Sequence, residues 1–185
     1  MNGPPAQPEL LTARLVLRAF VATDADEVQR LAGEREVAET TLNIPYPYPD
    51  GAAEAWIAER AAAYARGEEV VFAVTDRAHG ALLGAVGLRP APRHARAELG
   101  YWIGRPYWRR GYATEAVRAV LRYGFDALDL NRIHACHFAR NPASGRVMAK
   151  AGMRAEGVSR QHFRRGDRTE DAVHYAILRE EFDSS

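Results

Sequence analysis

A glycine among basic residues stands where a strand-like segment gives way to a helix, and this arrangement can bind an anion. The stretch Trp108-Arg109-Arg110-Gly111-Tyr112-Ala113-Thr114 follows Glu98 to Ile103 and leads into apolar residues spaced three and four apart. The first N–H groups of a helix have no partner within it, and its dipole is positive there. Because Gly111 lacks a Cβ, a phosphate can approach the backbone, and Arg109 and Arg110 add charge.

The turn by itself does not decide between an anion site and an ordinary connection. No Gly-Lys-Ser/Thr follows it, which excludes the Walker pattern, and only one of the three glycines of the dinucleotide fingerprint is present. An ordinary tight strand-to-helix turn therefore explains the stretch as well as a phosphate site does.

A cysteine nucleophile and a metal centre are both disfavoured. Cys136 lies between His134 and His137 in a predicted strand, where successive side chains alternate between faces, so His137 cannot orient the thiol. A lone cysteine is usually a small buried apolar group. No histidines have zinc-ligand spacing supported by cysteine partners, and we expect no metal.

Composition narrows the class of protein. With 185 residues, of which 47% are hydrophobic, we expect a single domain over residues 1–185 with a flexible tail at residues 1–8. A formal net charge of +1 gives no electrostatic reason to expect nucleic acid as a partner. The single cysteine and the lack of an apolar run after Met1 favour the cytoplasm, and no apolar stretch is long enough to cross a membrane.

The patterns predict an order of β-α-α-β-β-β-α-β-α-β-β. The predicted strands lie at residues 14–18, 70–75, 82–88, 95–103 and 132–138, and a final strand pair within residues 153–178 turns at residues 165–167. The predicted helices are residues 23–32, 50–66, the central helix from residue 113, and 142–151. This order indicates a mixed α/β sheet with helices on both faces, antiparallel early and parallel across the central helix.

Three segments carry motifs of one known family. Leu11 to Arg18 is similar to an opening T-x-R-L-x-L-R strand, and Glu98 to Gly104 with Tyr107 to Ala116 is similar to a strand and a pyrophosphate turn. Asn141 to Ser144, with the Lys-Ala-Gly-Met that follows at residues 150–153, is similar to an N-x-x-S…K-x-G-F segment. In these motifs the chain resembles the GNAT superfamily of N-acetyltransferases, and within it the RimJ/RimL-like branch that acetylates protein N-terminal amines. The resemblance covers nearly the whole chain.

The resemblance implies a fold and a cosubstrate. The fold is a mixed, mostly antiparallel twisted sheet with helices on both faces, whose parallel strands splay around the central cofactor-binding helix. Acetyl-CoA would place its pyrophosphate on the backbone of Arg110 to Thr114 and its pantetheine against the strand that ends at Ile103. Trp108 departs from the Q/R-x-x-G-x-G/A turn of the superfamily, although tryptophan is usual there in this branch. The implied cofactor-binding residues are Trp102, Ile103, Arg109, Arg110, Gly111, Tyr112, Ala113, Thr114, Asn141 and Ser144.

Two residues within the motifs, Glu98 and Ser144, suit the chemistry of amine acetylation. An α-amine with a pKa of roughly 8 is partly neutral near pH 7, so one carboxylate, acting directly or through water, suffices as a base. Glu98 is the candidate, and a solvent-facing strand glutamate is the alternative. The resemblance places Ser144 near the sulfur as a proton donor, while an ordinary first-turn helix residue is the alternative. Asn141 before Pro142 also fits a helix N-cap.

The acceptor remains open at this stage. The resemblance implies transfer to a protein N-terminal α-amine, of the ribosomal-protein-alanine type, and a small amine such as an aminoglycoside or polyamine is the alternative. Glu34, Glu36 and Glu39 could supply the acidic cleft that a cationic antibiotic needs. The aromatic loop with Tyr46 and Tyr48 could form the acceptor wall with Trp56. A non-catalytic acyl-CoA-binding module is a third reading. We expect acetyl-CoA and an amine as partners, and neither nucleic acid nor a membrane. The chain could also form a homodimer.

Overall fold

An eight-stranded sheet carries the fold in the computed structural model, which describes residues 6–183. The strands are β1 (Leu10–Leu11), β2 (Leu15–Arg18), β3 (Val70–Asp76), β4 (Leu82–Ala91), β5 (Arg96–Ile103), β6 (Arg132–Phe138), β7 (Arg154–Arg165) and β8 (Arg168–Leu178). They lie in the order β1-β2-β3-β4-β5-β6-β8-β7, and every neighbouring pair is antiparallel except β5 and β6.

Helices cover both faces of this sheet. They are α1 (Ala25–Ala32), α2 (Arg35–Glu39), α3 (Ala52–Ala65), α4 (Tyr112–Asp126), α5 (Pro142–Lys150) and α6 (Arg179–Asp183). The apolar side of α4, including Val117, Val120 and Leu121, packs on one face in the larger core cluster, to which α5 adds Met148. A second cluster joins α1 and α3 to the opposite face. The predicted mixed α/β sheet with helices on both faces is confirmed.

The parallel strands β5 and β6 diverge soon after they meet. Their register contains three pairs, and the last of them joins Glu98 to His134. Beyond that pair β5 continues against β4 as far as Ile103, while β6 continues against β8 as far as Phe138. The backbone of β5 from Leu99 to Ile103 therefore has no strand partner on the side of β6, and a V-shaped opening forms in the sheet. This is the splay that the resemblance implied.

Some elements differ from the sequence prediction for local reasons. The first predicted helix begins at Ala25 after a 3₁₀ turn, because the Asp24 carboxylate accepts a hydrogen bond from the Val21 N–H (2.9 Å) and binds Arg18. The elements β1, α2 and α6 were not predicted, since two to five residues carry no readable periodicity. Residues 1–5 of the predicted tail lie outside the described residues, and Gln7 Nε2 donates to the Val71 carbonyl (3.0 Å).

Candidate active site

The turn before α4 presents a run of free backbone donors. Gly111 is the N-cap residue, with a left-handed φ of 82°, and no side chain caps the helix. Within residues 6–183, the N–H groups of Arg109 to Thr114 have no hydrogen-bond acceptor. Arg109 also has a positive φ, 62°, which is unusual for a residue with a side chain. Free amides at a helix N-terminus beside two exposed arginines are the donor set that a pyrophosphate requires, so the residues present fit this group.

Thr12 and Arg14, in the connection between β1 and β2, hold this turn by hydrogen bonds to Arg110 and Glu115. We call this set of contacts the clasp. Arg14 Nη1 donates to the Arg110 carbonyl (3.0 Å), and Arg14 Nε donates to Glu115 Oε2 (2.7 Å). Glu115 Oε1 accepts from the Thr12 hydroxyl (2.7 Å) and from the Arg14 backbone N–H (2.9 Å). Burial acts to raise the pKa of Glu115, but these hydrogen bonds and the Arg14 charge lower it overall. The T-x-R-L-x-L-R motif therefore has a structural role at the turn.

Trp108 ties the turn to the end of β5. Its indole N–H donates to the Ile103 carbonyl (2.6 Å). This N–H is the only donor of the side chain, so none is left for a phosphate. The departure from Q/R at this position leaves the backbone amides and the neighbouring arginines as the groups that can meet phosphates. Trp108 fixes the distance between the turn and the V-shaped opening.

A cavity of about 750 Å³ extends from the V-shaped opening to the loop between α2 and α3. Glu98 to Trp102 of β5, Cys136 to Phe138 of β6 and Ser144 of α5 line one part of it. Tyr48 and Trp56 line the other, as the sequence suggested, whereas Tyr46 is 53% exposed and outside the lining. A cavity of this size suits a small substrate beside a cosubstrate arm.

Ser144 contacts a partly buried tyrosine, Tyr101, at the wall of this cavity. Its Oγ lies 2.7 Å from Tyr101 Oη, and the same Tyr101 hydroxyl lies 3.0 Å from the Ser144 carbonyl. Burial raises the pKa of Tyr101 to about 12. Asn141 stands at the N-cap of α5 before Pro142, as predicted, but its side chain makes no capping hydrogen bond. The sequence analysis did not indicate Tyr101, because its partner Ser144 lies 43 residues away in a later helix.

Glu98 projects from the cavity side of β5 and is exposed. In the described part of the chain, its carboxylate has neither a hydrogen bond nor an ion pair. Its register neighbours are Arg89 on β4 and His134 on β6. Burial is the main influence on His134 and lowers the pKa of its imidazole, so the ring beside Glu98 is neutral at pH 7. The carboxylate is therefore available to an amine.

A buried ion-pair cluster lies deeper in the same cavity and was not predicted. Glu69 is 9% exposed and pairs closely with Arg60, whose guanidinium lies 5.3 Å from the Trp56 ring centroid. Arg89 Nη2 is 3.6 Å from Glu69 Oε2, and the Arg89 side chain is 64% exposed. The charged lining, Arg60, Arg89, Glu69 and Glu98, is thus balanced in sign.

The acidic segment suggested for a cationic antibiotic does not line the cavity. Glu36 pairs with Arg105 (3.0 Å) and Glu39 pairs with Arg35 (2.8 Å), and neither they nor Glu34 line it. The cavity therefore gains no excess negative charge from α2.

The cysteine and histidines behave as the sequence suggested. Burial raises the pKa of the Cys136 thiol, which keeps it protonated. His137 is buried on the other face, where its Nδ1 lies 2.8 Å from the Phe138 carbonyl. Among residues 6–183, no three His, Cys, Asp or Glu side chains are grouped to hold a metal, and no helix is long and apolar enough to span a membrane.

Comparison with known proteins gives concordant results. A family profile described as the acetyltransferase (GNAT) domain matches residues 14–154. YoaA of Bacillus subtilis (strain 168), named as an uncharacterized N-acetyltransferase, is 34% identical over 184 residues, covering 93% of this chain and 97% of that protein. YdaF of the same organism, named provisionally as a ribosomal N-acetyltransferase, is 31% identical over 105 residues, covering 56% and 57%.

A crystal structure of a GNAT-family acetyltransferase from Bacillus anthracis has the same fold. It matches with a TM-score of 0.84 at 27% identity, covering 94% of this chain and 99% of that one. The likeness therefore extends over nearly the whole of both chains.

Proposed function

Because this chain belongs to the GNAT family of acetyltransferases, we propose that it is of the RimJ/RimL-like kind and that its acceptor is a protein N-terminal α-amine, of the ribosomal-protein-alanine type. The chain is an N-acetyltransferase that depends on acetyl-CoA. The thioester of acetyl-CoA supplies the activated acetyl group.

The balanced charge of the cavity is the observation that carries the proposal. Glu98 is the one charged group there with no partner among the described residues, and it balances the single positive charge left by Arg60, Arg89 and Glu69. One free carboxylate suits one ammonium group, whereas a polyamine would leave further ammonium groups facing Arg60 and Arg89. Like charges in a partly desolvated site are costly. The provisional ribosomal name of one relative is in keeping with an N-terminal acceptor.

Three parts of the chain then bind acetyl-CoA. The amides of Arg109 to Thr114 receive the pyrophosphate, with Arg109 and Arg110 beside it. The open backbone edge of β5 towards Ile103 offers unpaired donors and acceptors to the pantetheine arm, which contains amides. The Asn141 side chain makes no capping hydrogen bond and is available to the same arm.

Proton transfer needs one group on each side of the thioester. Glu98, on the acceptor side, takes a proton from the amine directly or through a water. Ser144, on the α5 side, gives a proton to the departing thiolate, and the Tyr101 hydroxyl 2.7 Å away is the adjoining donor. The reaction is a direct attack in a ternary complex, and no cysteine participates.

The test is free-thiol release from acetyl-CoA with a panel of Ala- and Ser-starting peptides, spermidine and an aminoglycoside. We expect turnover on the peptides and little on the polyamine. The control is Gly111→Trp, which places an indole where the pyrophosphate binds and should abolish all turnover. Turnover on small amines alone would refute the N-terminal assignment, and acetyl-CoA binding without any turnover would indicate a non-catalytic module.

A further inference from the structure

Ionisable side chains form a row across the cavity side of the sheet, and its three charged members, Glu69, Arg89 and Glu98, alternate in sign. Arg89 on β4 lies directly opposite Glu98 on β5, and Glu98 lies opposite His134 on β6. Glu69, just before β3, extends the row because its Oε2 is 3.6 Å from Arg89 Nη2. The positions follow from the strand register, since every second residue of a strand faces the same side. The row ends at the point where the V-shaped opening begins.

Arg89 and Glu98 are opposite in charge but are not paired with each other. Residues that face each other across antiparallel strands have Cβ atoms roughly 5 Å apart. Even so, within residues 6–183 no ion pair or hydrogen bond joins the two side chains, and both line the cavity. A carboxylate acceptor and a guanidinium donor thus stand side by side with their hydrogen-bonding capacity unused.

The contact with Glu69 does not use the hydrogen-bond donors of the Arg89 guanidinium. Arg60 already pairs closely with Glu69, and Arg60 is itself held on the Trp56 ring and the Trp56 carbonyl. The contact of Arg89 with Glu69 is longer than a hydrogen bond, and the Arg89 side chain is 64% exposed. An ion pair of that kind contributes at most about 1 kcal/mol. The guanidinium is therefore free to meet a ligand.

We propose that Arg89 and Glu98 together recognise an α-aminoacyl group. This rests on the proposed function and names the feature of the acceptor that the site reads. In an α-aminoacyl group one carbon separates the amine nitrogen from a carbonyl carbon. Glu98 accepts from the amine, and Arg89 donates to the carbonyl or carboxylate oxygen beside it.

The same pair selects against other amines. An alkylamine, or the ε-amine of a lysine, has no oxygen beside the amine and leaves Arg89 without a ligand. A diamine also brings a second positive charge towards Arg89, which is unfavourable. Arg89 is thus a specificity-determining residue, and Glu98 is the residue that faces the reacting nitrogen.

The experiment compares Arg89→Gln with wild type on matched acceptors. They are an Ala-starting tripeptide, free alanine, propylamine and putrescine, each assayed for kcat/KM by thiol release. We expect wild type to favour the aminoacyl acceptors, and R89Q to lower kcat/KM for them by about tenfold or more, the effect of a lost charged hydrogen bond. The value for propylamine should stay within about twofold, and the KM for acetyl-CoA should not change.

Two further variants control the comparison. Arg93→Gln removes the same charge from an exposed residue in the turn between β4 and β5, outside the cavity, and should behave as wild type. Arg89→Lys keeps the charge without the guanidinium geometry and should recover part of the loss. Calorimetric binding of the tripeptide to the enzyme with CoA gives the same comparison if turnover is slow.

The outcomes separate this inference from the proposed function. Peptide turnover by wild type with an unaltered kcat/KM in R89Q would overturn the role of Arg89 and leave the N-terminal assignment intact. Equal losses on tripeptide and propylamine would also overturn it. Turnover of free alanine without the tripeptide would support the α-aminoacyl group but refute a protein acceptor. Turnover of putrescine alone would overturn both.

Discussion

A serine hydroxyl is far too weak an acid to protonate a thiolate unless its own proton is replaced as it leaves. Tyr101 supplies the means, because its hydroxyl lies 2.7 Å from Ser144 Oγ and is shielded by the wall of the cavity. If Tyr101 donates to Ser144 Oγ, the Ser144 proton is free to point at the sulfur. If Tyr101 donates to the Ser144 carbonyl instead, the Ser144 hydroxyl donates to Tyr101 Oη and its proton points away from the sulfur. The two residues should therefore act as a unit.

The first prediction tests this pair. Ser144→Ala and Tyr101→Phe should each lower kcat by about tenfold or more, and the double variant should lose little beyond either single one. The Kd for acetyl-CoA should stay within about twofold. Because burial raises the pKa of Tyr101 to about 12, the wild-type rate should show no decline from its ionisation below about pH 11. If Ser144→Ala changes kcat by less than a few-fold, the proton-donor role is refuted.

A second prediction concerns Glu98. Below a pH of about 8 an α-amine is mostly protonated, so a base must take its proton before attack. Glu98→Gln should therefore lower kcat/KM by about tenfold to a hundredfold at pH 6.5 and by progressively less towards pH 9. Asp167→Asn, an exposed carboxylate in the turn between β7 and β8, is the charge-matched control. Wild-type activity of the Gln variant over the whole pH range would rule out this role.

At the scale of elements, the turn before α4 depends on strands distant in sequence. Arg109 and Gly111 both have positive φ, and the carbonyl between them, that of Arg110, is held by Arg14. A residue such as Arg109 in this region costs of order 1 kcal/mol or more and persists only where neighbours enforce it. The contacts of Thr12 and Arg14 with Glu115 and Arg110 hold the turn in place. We therefore expect the opening strand motif to support cosubstrate binding indirectly.

The third prediction follows from this clasp. Arg14→Gln should weaken acetyl-CoA binding by about tenfold while kcat at saturation changes less than twofold, since the chemistry lies at the other end of β5. Arg77→Gln removes only a bond to the Thr12 carbonyl and is the matched control. The pKa of Glu115 is lowered in the folded state. Its contribution to the free energy of unfolding is therefore complete above about pH 5 and is lost only as the pH falls through that lowered pKa. A fall in kcat with unaltered affinity would contradict the prediction.

The sequence predicts elements well where the pattern is local. The three-and-four spacing of apolar residues after Gly111 marked one side of α4, and that side is buried as expected. The role of Arg14 could not be predicted, because its partner Glu115 lies about a hundred residues away. Arg89 could have been found, since the hairpin of β4 and β5 sets its register against Glu98.

On the scale of the whole molecule, the sheet consists of two parts joined at a narrow seam. Strands β1 to β5 form one part and β6 to β8 the other, and three residue pairs between β5 and β6 connect them. The depth of this opening could not be predicted, because it depends on how β6 twists away with β8 after α4, and no local pattern encodes that. A ligand that lies in the opening meets both parts and stands where backbone pairing is absent.

The last prediction is that acetyl-CoA stabilises the whole fold and closes the open strand edge. At about a hundred times its Kd, a ligand adds about 2.7 kcal/mol to the free energy of unfolding, which for a chain of this size raises Tm by about 5–10 °C. Adenosine 3′,5′-bisphosphate, which lacks the pantetheine arm, reaches only the turn.

Hydrogen exchange separates these two ligands. With acetyl-CoA, amides within Leu99 to Ile103 that face β6 should exchange more slowly, because the pantetheine arm gives them the acceptors that β6 does not. With the bisphosphate, protection should be confined to Arg109 to Thr114. Gly111→Trp should lose both effects, and R14Q should show them only at higher ligand concentration. Protection of the turn by acetyl-CoA with unaltered exchange along β5 would place the pantetheine arm elsewhere and refute the assignment of Trp102 and Ile103.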